Sequence, residues 1–174
     1  MKQKLLILSD LWGIKKATYL PQYITLLQSK YDIQFIDCCQ LGQVDTSNYT
    51  QDNLHQQFIN GGIDLAVENL LENYPQTVDI LAFSIGGTIA WKANLAGLKV
   101  QNCYAISATR LRYETIKPAS QISLIYGELD AYRPKEKWFK KLELSDYCIF
   151  EHEGHELYQK PRIIQQICQQ CLTS

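Results

Sequence analysis

Three side chains in this 174-residue sequence could together carry out nucleophilic chemistry. Ser84 sits in Ala82-Phe83-Ser84-Ile85-Gly86-Gly87, where an apolar run ends and a segment of helical period begins. A serine on a sharp strand-to-helix turn has strained dihedrals, and the turn closes tightly only if the residues two before and two after it are small. Here those residues are Ala82 and Gly86. Such a turn raises the hydroxyl above a sheet and sets the Ile85 amide at the positive end of a helix dipole, a position suited to an oxyanion. A serine hydroxyl is a weak nucleophile, so it needs a base and a carboxylate to orient that base. Asp130 in "ISLIYGELDAYRP" and His155 in "YCIFEHEGHELYQKP" each follow an apolar run, in the chain order Ser, Asp, His. Glu128 competes with Asp130 for the acid and His152 with His155 for the base. His155 is preferred because its glycine-flanked loop can reach back to Ser84.

Elements of a particular kind must hold these residues. Six β-rich runs are predicted at 4–9, 31–36, 78–83, 101–107, 121–126 and 146–151, alternating with helical segments. That alternation predicts an α/β fold, a three-layer sandwich with a mostly parallel six-stranded sheet, formed by residues 1–174 as a single domain. Apolar residues recur at helical spacing at Ala17, Leu20, Ile24 and Leu27, and again at Ile63, Ala66, Val67, Leu70 and Leu71, each set laying one face on the sheet. The helix after Ser84 is rich in small residues (Gly86, Gly87, Ala90, Ala93, Ala96) and so can approach the sheet closely, with Gly97 as its cap. The last helix is predicted from about Pro161, with a glutamine-rich polar face. Residues 37–53 read as the longest irregular stretch, a candidate border for a pocket. In open α/β sheets the reactive positions gather at the carboxyl ends of the strands, where Ser84, Asp130 and His155 all fall.

Composition excludes several classes of partner. With 17 basic and 18 acidic residues the net charge is −1, which leaves no electrostatic footprint for nucleic acid or an anionic membrane, so the substrate is not expected to be a polyanion. The apolar stretch at the N-terminus is too short for a signal peptide and no membrane-spanning run follows, so the expected location is cytoplasmic, with the six cysteines as free thiols. Cys168 and Cys171 are spaced as CxxC but continue an apolar helical stripe, which reads as core. No GxGxxG or GxxxxGK[ST] is present, which argues against Ser84 as a turn residue of a nucleotide-binding domain. His152, His155 and the nearby glutamates lack the helical spacing of a metal site, so no metal or cofactor is expected. His55, in "DNLHQQFINGG", reads as an exposed helix residue.

On Ser84 in "AFSIGG", Asp130 in "YGELDAYRP" and His155 in "EGHEL", the whole chain resembles a small member of the α/β-hydrolase superfamily. The resemblance implies a nucleophile at Ser84, a general base at His155 and an orienting carboxylate at Asp130. It also implies a strand order 2-1-3-4-5-6 without the family's cap domain, since only a short segment, "TRLRYETIKPASQI", joins the fourth strand to the fifth. By position, Leu11 in "SDLWG" donates the second oxyanion amide beside Ile85, with Trp12 as the neighbouring candidate. Trp12 and Tyr132 flank these positions and are expected to line the acyl pocket. The expected reaction is cleavage of a carboxylic ester or acyl thioester, free or carrier-bound, through an acyl-enzyme. A noncatalytic binding protein of the same fold is the rival reading, and acyl transfer to an acceptor other than water is a third. Many relatives carry a His-Gly pair where this chain has Asp10, a carboxylate that opposes an oxyanion unless it points away or is paired.

Overall fold

Parallel strands buried on both faces read as continuous apolar runs, and the six runs of this sequence form such strands. The computed structural model describes residues 2–174. Its strands are β1 (Gln3–Leu8), β2 (Tyr31–Ile36), β3 (Val78–Phe83), β4 (Val100–Ile106), β5 (Gln121–Gly127) and β6 (Tyr147–Phe150). They build one sheet in the order β2-β1-β3-β4-β5-β6, and every neighbouring pair is parallel. All six carboxyl ends therefore lie along one edge. β3 is buried at every residue, including Asp79, whose Oδ1 accepts hydrogen bonds from the backbone and side-chain nitrogens of Asn102 at 3.1 Å.

Among the described residues seven α-helices accompany the sheet: α1 (Leu20–Leu27), α2 (Cys38–Leu41), α3 (Gln51–Gln57), α4 (Ile63–Asn73), α5 (Ile85–Leu95), α6 (Glu136–Lys141) and α7 (Pro161–Thr173). α1 and α7 cover one face, where Leu20, Tyr23, Ile163 and Ile167 pack on Leu5, Ile7, Leu81 and Phe83. α3 to α6 cover the other, with Leu54, Leu70, Ile89 and Phe139 in one cluster with Leu6, Leu8 and Ile80. At about 1.5–3 kcal/mol for each fully buried aliphatic or aromatic side chain, these two clusters are the main force holding the layers together. α3 and α4 join across a kink at Asn60 and Gly61, whose φ of 124° suits glycine.

The predicted strand bounds hold to within a few residues, and β4 and β5 are joined by residues 107–120 alone, with no cap domain. The stretch 37–53 is more ordered than expected. Asp37 caps α2 by accepting from the amides of Cys39 and Gln40, and α3 begins at Gln51. A four-residue helix is too short to leave a periodic signal. The small-residue face of α5 does bring it close: a Cβ added at Gly86 would lie 2.4 Å from the Ser9 carbonyl oxygen, and one at Gly87 would lie 2.5 Å from Ala108 Cβ. Five of the six free cysteines are buried, Cys168 and Cys171 among them. No helix among the described residues is long and apolar enough to cross a membrane.

Candidate active site

Ser84 follows β3 directly and has φ 50° and ψ −115°, a conformation side-chain-bearing residues seldom adopt. Neighbouring hydrogen bonds over-determine it. Its amide donates to Ile106 O on β4 at 2.8 Å, and its carbonyl accepts from the Gly87 amide at 3.1 Å. Ala82 and Gly86 leave room for that turn against β1, so the strained serine is where the spacing of small residues predicts it.

Asp130 sits on the turn after β5, 3% exposed, and His155 on the loop after β6, 37% exposed. The structure brings the three together. His155 Nδ1 lies 2.6 Å from Asp130 Oδ2, and His155 Nε2 lies 2.9 Å from Ser84 Oγ. With a carboxylate on one side, the neutral imidazole carries its proton on Nδ1 and presents Nε2 as the acceptor for the serine hydroxyl. Asp130 Oδ1 accepts from the Tyr132 amide at 3.1 Å, which fixes the carboxylate plane. The competing pair lies elsewhere: Glu128 Oε2 accepts from the His152 amide at 3.0 Å, and the His152 ring is exposed. Glu153 is ion-paired with Lys160, and among the described residues no group of three His, Cys, Asp or Glu side chains is placed to hold a metal ion.

The loop after β1 resolves where Asp10 points. Its side chain is buried; Oδ1 accepts from the Trp12 amide and Oδ2 from the Tyr158 hydroxyl, both at 2.9 Å. Burial holds its carboxyl above the ordinary 3.8, against the two hydrogen bonds that favour the charged form. The Trp12 amide is thereby occupied. The amides of Leu11 and Ile85 have no acceptor within the protein among the described residues, and both residues line the cavity that opens over Ser84.

That cavity has a volume of about 1010 Å³, and its walls also include Asp130, Tyr132 and His155. Trp12, expected in the same wall, is not part of it. Its ring meets Tyr49 edge-on at 5.3 Å and lies beneath Lys16 Nζ at 3.4 Å, so the edge-on aromatic contact and a cation–π contact hold it to one side. His55, expected to be merely exposed, lines the cavity from α3, as do Arg110 and Arg112 from the 3₁₀ turn Thr109–Tyr113. Burial and then the charges of Arg110 and Arg112 hold the His55 imidazole below its ordinary 6.5.

Two positioning residues carry no advance signal in the sequence. Ser107, at the end of β4 with φ 53°, donates through Oγ to the His155 carbonyl at 2.6 Å. Tyr158 stacks on Phe83, the residue before the serine, at 4.9 Å, and meets the His155 ring edge-on at 6.5 Å. A loop serine and a helix-adjacent tyrosine look ordinary until the fold sets them against the histidine.

A parallel sheet in the order 2-1-3-4-5-6, with a strained serine after its third strand and an acid and a histidine after its fifth and sixth, defines the α/β-hydrolase fold. The chain has that fold. A Xanthomonas campestris pv. campestris protein ascribed to the alpha/beta hydrolase superfamily superposes with a TM-score of 0.65 at 13% identity, covering 99% of each chain. Est1E from Butyrivibrio proteoclasticus, solved with ferulic acid bound, gives 0.67 at 9% identity over 99% of this chain and 89% of its own. MGS-MChE2, an alpha/beta hydrolase enzyme from a metagenome of sediments from the lagoon of Mar Chica, Morocco, gives 0.61 at 16% identity over 99% and 91%. No protein-family model and no curated protein sequence matches the chain.

Proposed function

We propose that the chain is a serine hydrolase that cleaves a carboxylic ester or thioester through an acyl-enzyme. The observation that carries this reading is the pair of hydrogen bonds linking Ser84 Oγ to His155 Nε2 and His155 Nδ1 to Asp130 at the mouth of one cavity. In the first half-reaction Ser84 Oγ bonds to the substrate carbonyl carbon as its proton passes to His155 Nε2. The amides of Leu11 and Ile85 then face the oxyanion. Collapse of the tetrahedral intermediate breaks the C–O or C–S bond, and the imidazolium protonates the leaving alcohol or thiol. Water attacks the acyl-serine with its proton taken by His155, and the acid leaves with Ser84 restored. Asp130 holds the ring's tautomer and stabilises the imidazolium.

The orientation of Asp10 counts against the rival reading of a noncatalytic binding protein. Its carboxylate is turned onto Tyr158 and the Trp12 amide, and so it leaves the Leu11 amide free. A fluorophosphonate probe separates the two readings. Stoichiometric labelling that Ser84→Ala abolishes is the expected result, together with a fall of about a thousandfold or more in kcat on a small activated ester. An unlabelled wild-type protein at neutral pH, or a Ser84→Ala variant that keeps most of the activity, would rule the hydrolase out.

A further inference from the structure

The cavity over Ser84 holds cations that ester cleavage does not use. Arg110 and Arg112 both line it from the turn after β4. Their surroundings differ. Arg112 is committed to the protein: Nη1 donates to the carbonyls of Thr109 at 2.8 Å and Tyr132 at 3.3 Å, and Nη2 to the Tyr113 hydroxyl at 2.7 Å. Arg110 is half-buried and makes no ion pair and no side-chain hydrogen bond among the described residues. Its guanidinium carbon lies 5.3 Å from the Tyr113 ring centroid.

The acids of the cavity do not answer that charge. Asp130 is held by His155 and the Tyr132 amide, and Glu156 is ion-paired with neither arginine. Lys160, at the rim, is paired with Glu153. Gln51 and His55 of α3 line the same cavity. The two guanidiniums hold the His55 imidazole below its ordinary 6.5, so the arginines and the imidazole act on the same space, and at neutral pH that ring is an uncharged hydrogen-bonding group.

We propose that Arg110, with His55 beside it, binds a carboxylate carried by the substrate away from the scissile bond. The substrate class is then the half-ester or half-thioester of a dicarboxylic acid, or an ester whose alcohol or thiol part bears a carboxylate. The assignment rests on the Ser84 hydrolase reading for its chemistry. A guanidinium is a planar fork that matches a carboxylate with two parallel hydrogen bonds, and in a partly desolvated wall such charge-assisted bonds are roughly twice as strong as neutral ones. Among the described residues Arg110 is the guanidinium of this wall whose donors are free, and one such fork fits the two oxygens of a single carboxylate. The near-neutral chain as a whole offers no such field, so the preference is local to this wall.

The test compares mono(4-nitrophenyl) adipate with 4-nitrophenyl hexanoate, which share a six-carbon acyl chain and differ at its far end. The wild type is expected to favour the adipate half-ester by about tenfold or more in kcat/KM, and Arg110→Gln to lower that ratio by about tenfold, chiefly through KM for the adipate. Arg110→Lys, which keeps the charge and loses the fork, should fall between them. A wild-type ratio near one, or a ratio that Arg110→Gln leaves in place, overturns the subsite while the hydrolase reading stands. Calorimetric binding of monomethyl adipate to Ser84→Ala protein, with and without Arg110→Gln, reads the same wall without chemistry. Roughly tenfold weaker binding on losing Arg110 is expected, and equal binding overturns the proposal. If neither aryl ester is cleaved in a Ser84-dependent way, the hydrolase reading fails and this binding comparison alone decides the subsite.

Discussion

Gly127 ends β5 three residues before Asp130, and its lack of a side chain sets how closely the His155 loop approaches. A Cβ at Gly127 would stand 2.2 Å from the Glu153 carbonyl oxygen and 2.5 Å from that of Gly154. Its φ lies outside the left-handed region, so Gly127→Ala introduces a clash without dihedral strain. Both contacts are backbone atoms and cannot swing aside. Relief of both contacts to an ordinary separation of about 3.5 Å requires the loop to retreat by about 1–1.3 Å. Asp130 stays with β5, since its amide donates to the Gly127 carbonyl at 3.2 Å. His155 leaves with the loop. The change therefore stretches the 2.6 Å bond to Asp130 and the 2.9 Å bond to Ser84 together. A misplacement of that size costs on the order of a hundredfold in rate. Overpacking of this kind costs about 1–3 kcal/mol of stability, and at about 2–4 °C per kcal/mol for a chain of this length the variant remains folded at assay temperature. The assay is kcat/KM on a 4-nitrophenyl ester, with the fluorophosphonate labelling rate and Tm measured on the same preparation. A folded Gly127→Ala protein that keeps a third or more of the wild-type rate would refute the claim that this glycine sets the histidine's position.

Two further substitutions probe the loop after β1. Asp10 binds its proton more tightly when folded than when unfolded, so its contribution destabilises the fold as pH rises from about 4 through the raised folded value, and is absent below the ordinary 3.8. Asp10→Asn removes that contribution while keeping an acceptor for the Trp12 amide. Its Tm should match the wild type below about pH 4 and exceed it at neutral pH. A gap independent of pH would refute the titration of Asp10, as scanning calorimetry across pH 3–8 would show. Gly86→Ala would place its Cβ 2.4 Å from the Ser9 carbonyl oxygen and 3.0 Å from Leu8 Cβ. It should lower Tm by about 2–12 °C, from an overpacking cost of about 1–3 kcal/mol, and an unchanged Tm would show that β1 and α5 can separate freely.

The elements were legible because a buried parallel sheet demands apolar runs of strand length, and "VDILAF", buried at every residue, is such a run. Ser84 was legible for a local reason, since the small residues that permit its turn are its near neighbours in the chain. Residues whose placement depends on distant partners were not. Asp10 faces Tyr158 across 148 residues of sequence, so nothing in "SDLWG" tells which way the carboxylate turns. His55 and Arg110 belong to segments that only the packing of α3 beside the turn after β4 brings into one wall. Trp12 neighbours a cavity residue, yet its ring follows Tyr49 and Lys16, because one residue along a loop is enough to reverse a side chain's direction.

In the proposed reaction, the same contrast explains how a loop with an acid in it would serve an oxyanion. The loop after β1 must leave one amide without an intramolecular acceptor, and a tight turn tends to consume its own donors. Asp10 accepts from the Trp12 amide, the donor two residues on, and so closes the turn as an Asx motif that spares Leu11. Tyr158 then gives the other carboxylate oxygen a partner, and its ring lies against both Phe83 and His155. The acid that looked like an obstacle thus ties the amide-bearing loop, the strand under the serine and the histidine to one aromatic side chain. Tyr158→Phe would keep the stacking and strip the hydrogen bond from a buried carboxylate, at a cost of about 1–3 kcal/mol. If Asp10 works through that bond, the variant should lose rate on activated esters as well as Tm. A loss of Tm with kcat unchanged would confine Asp10 and Tyr158 to the stability of the loop.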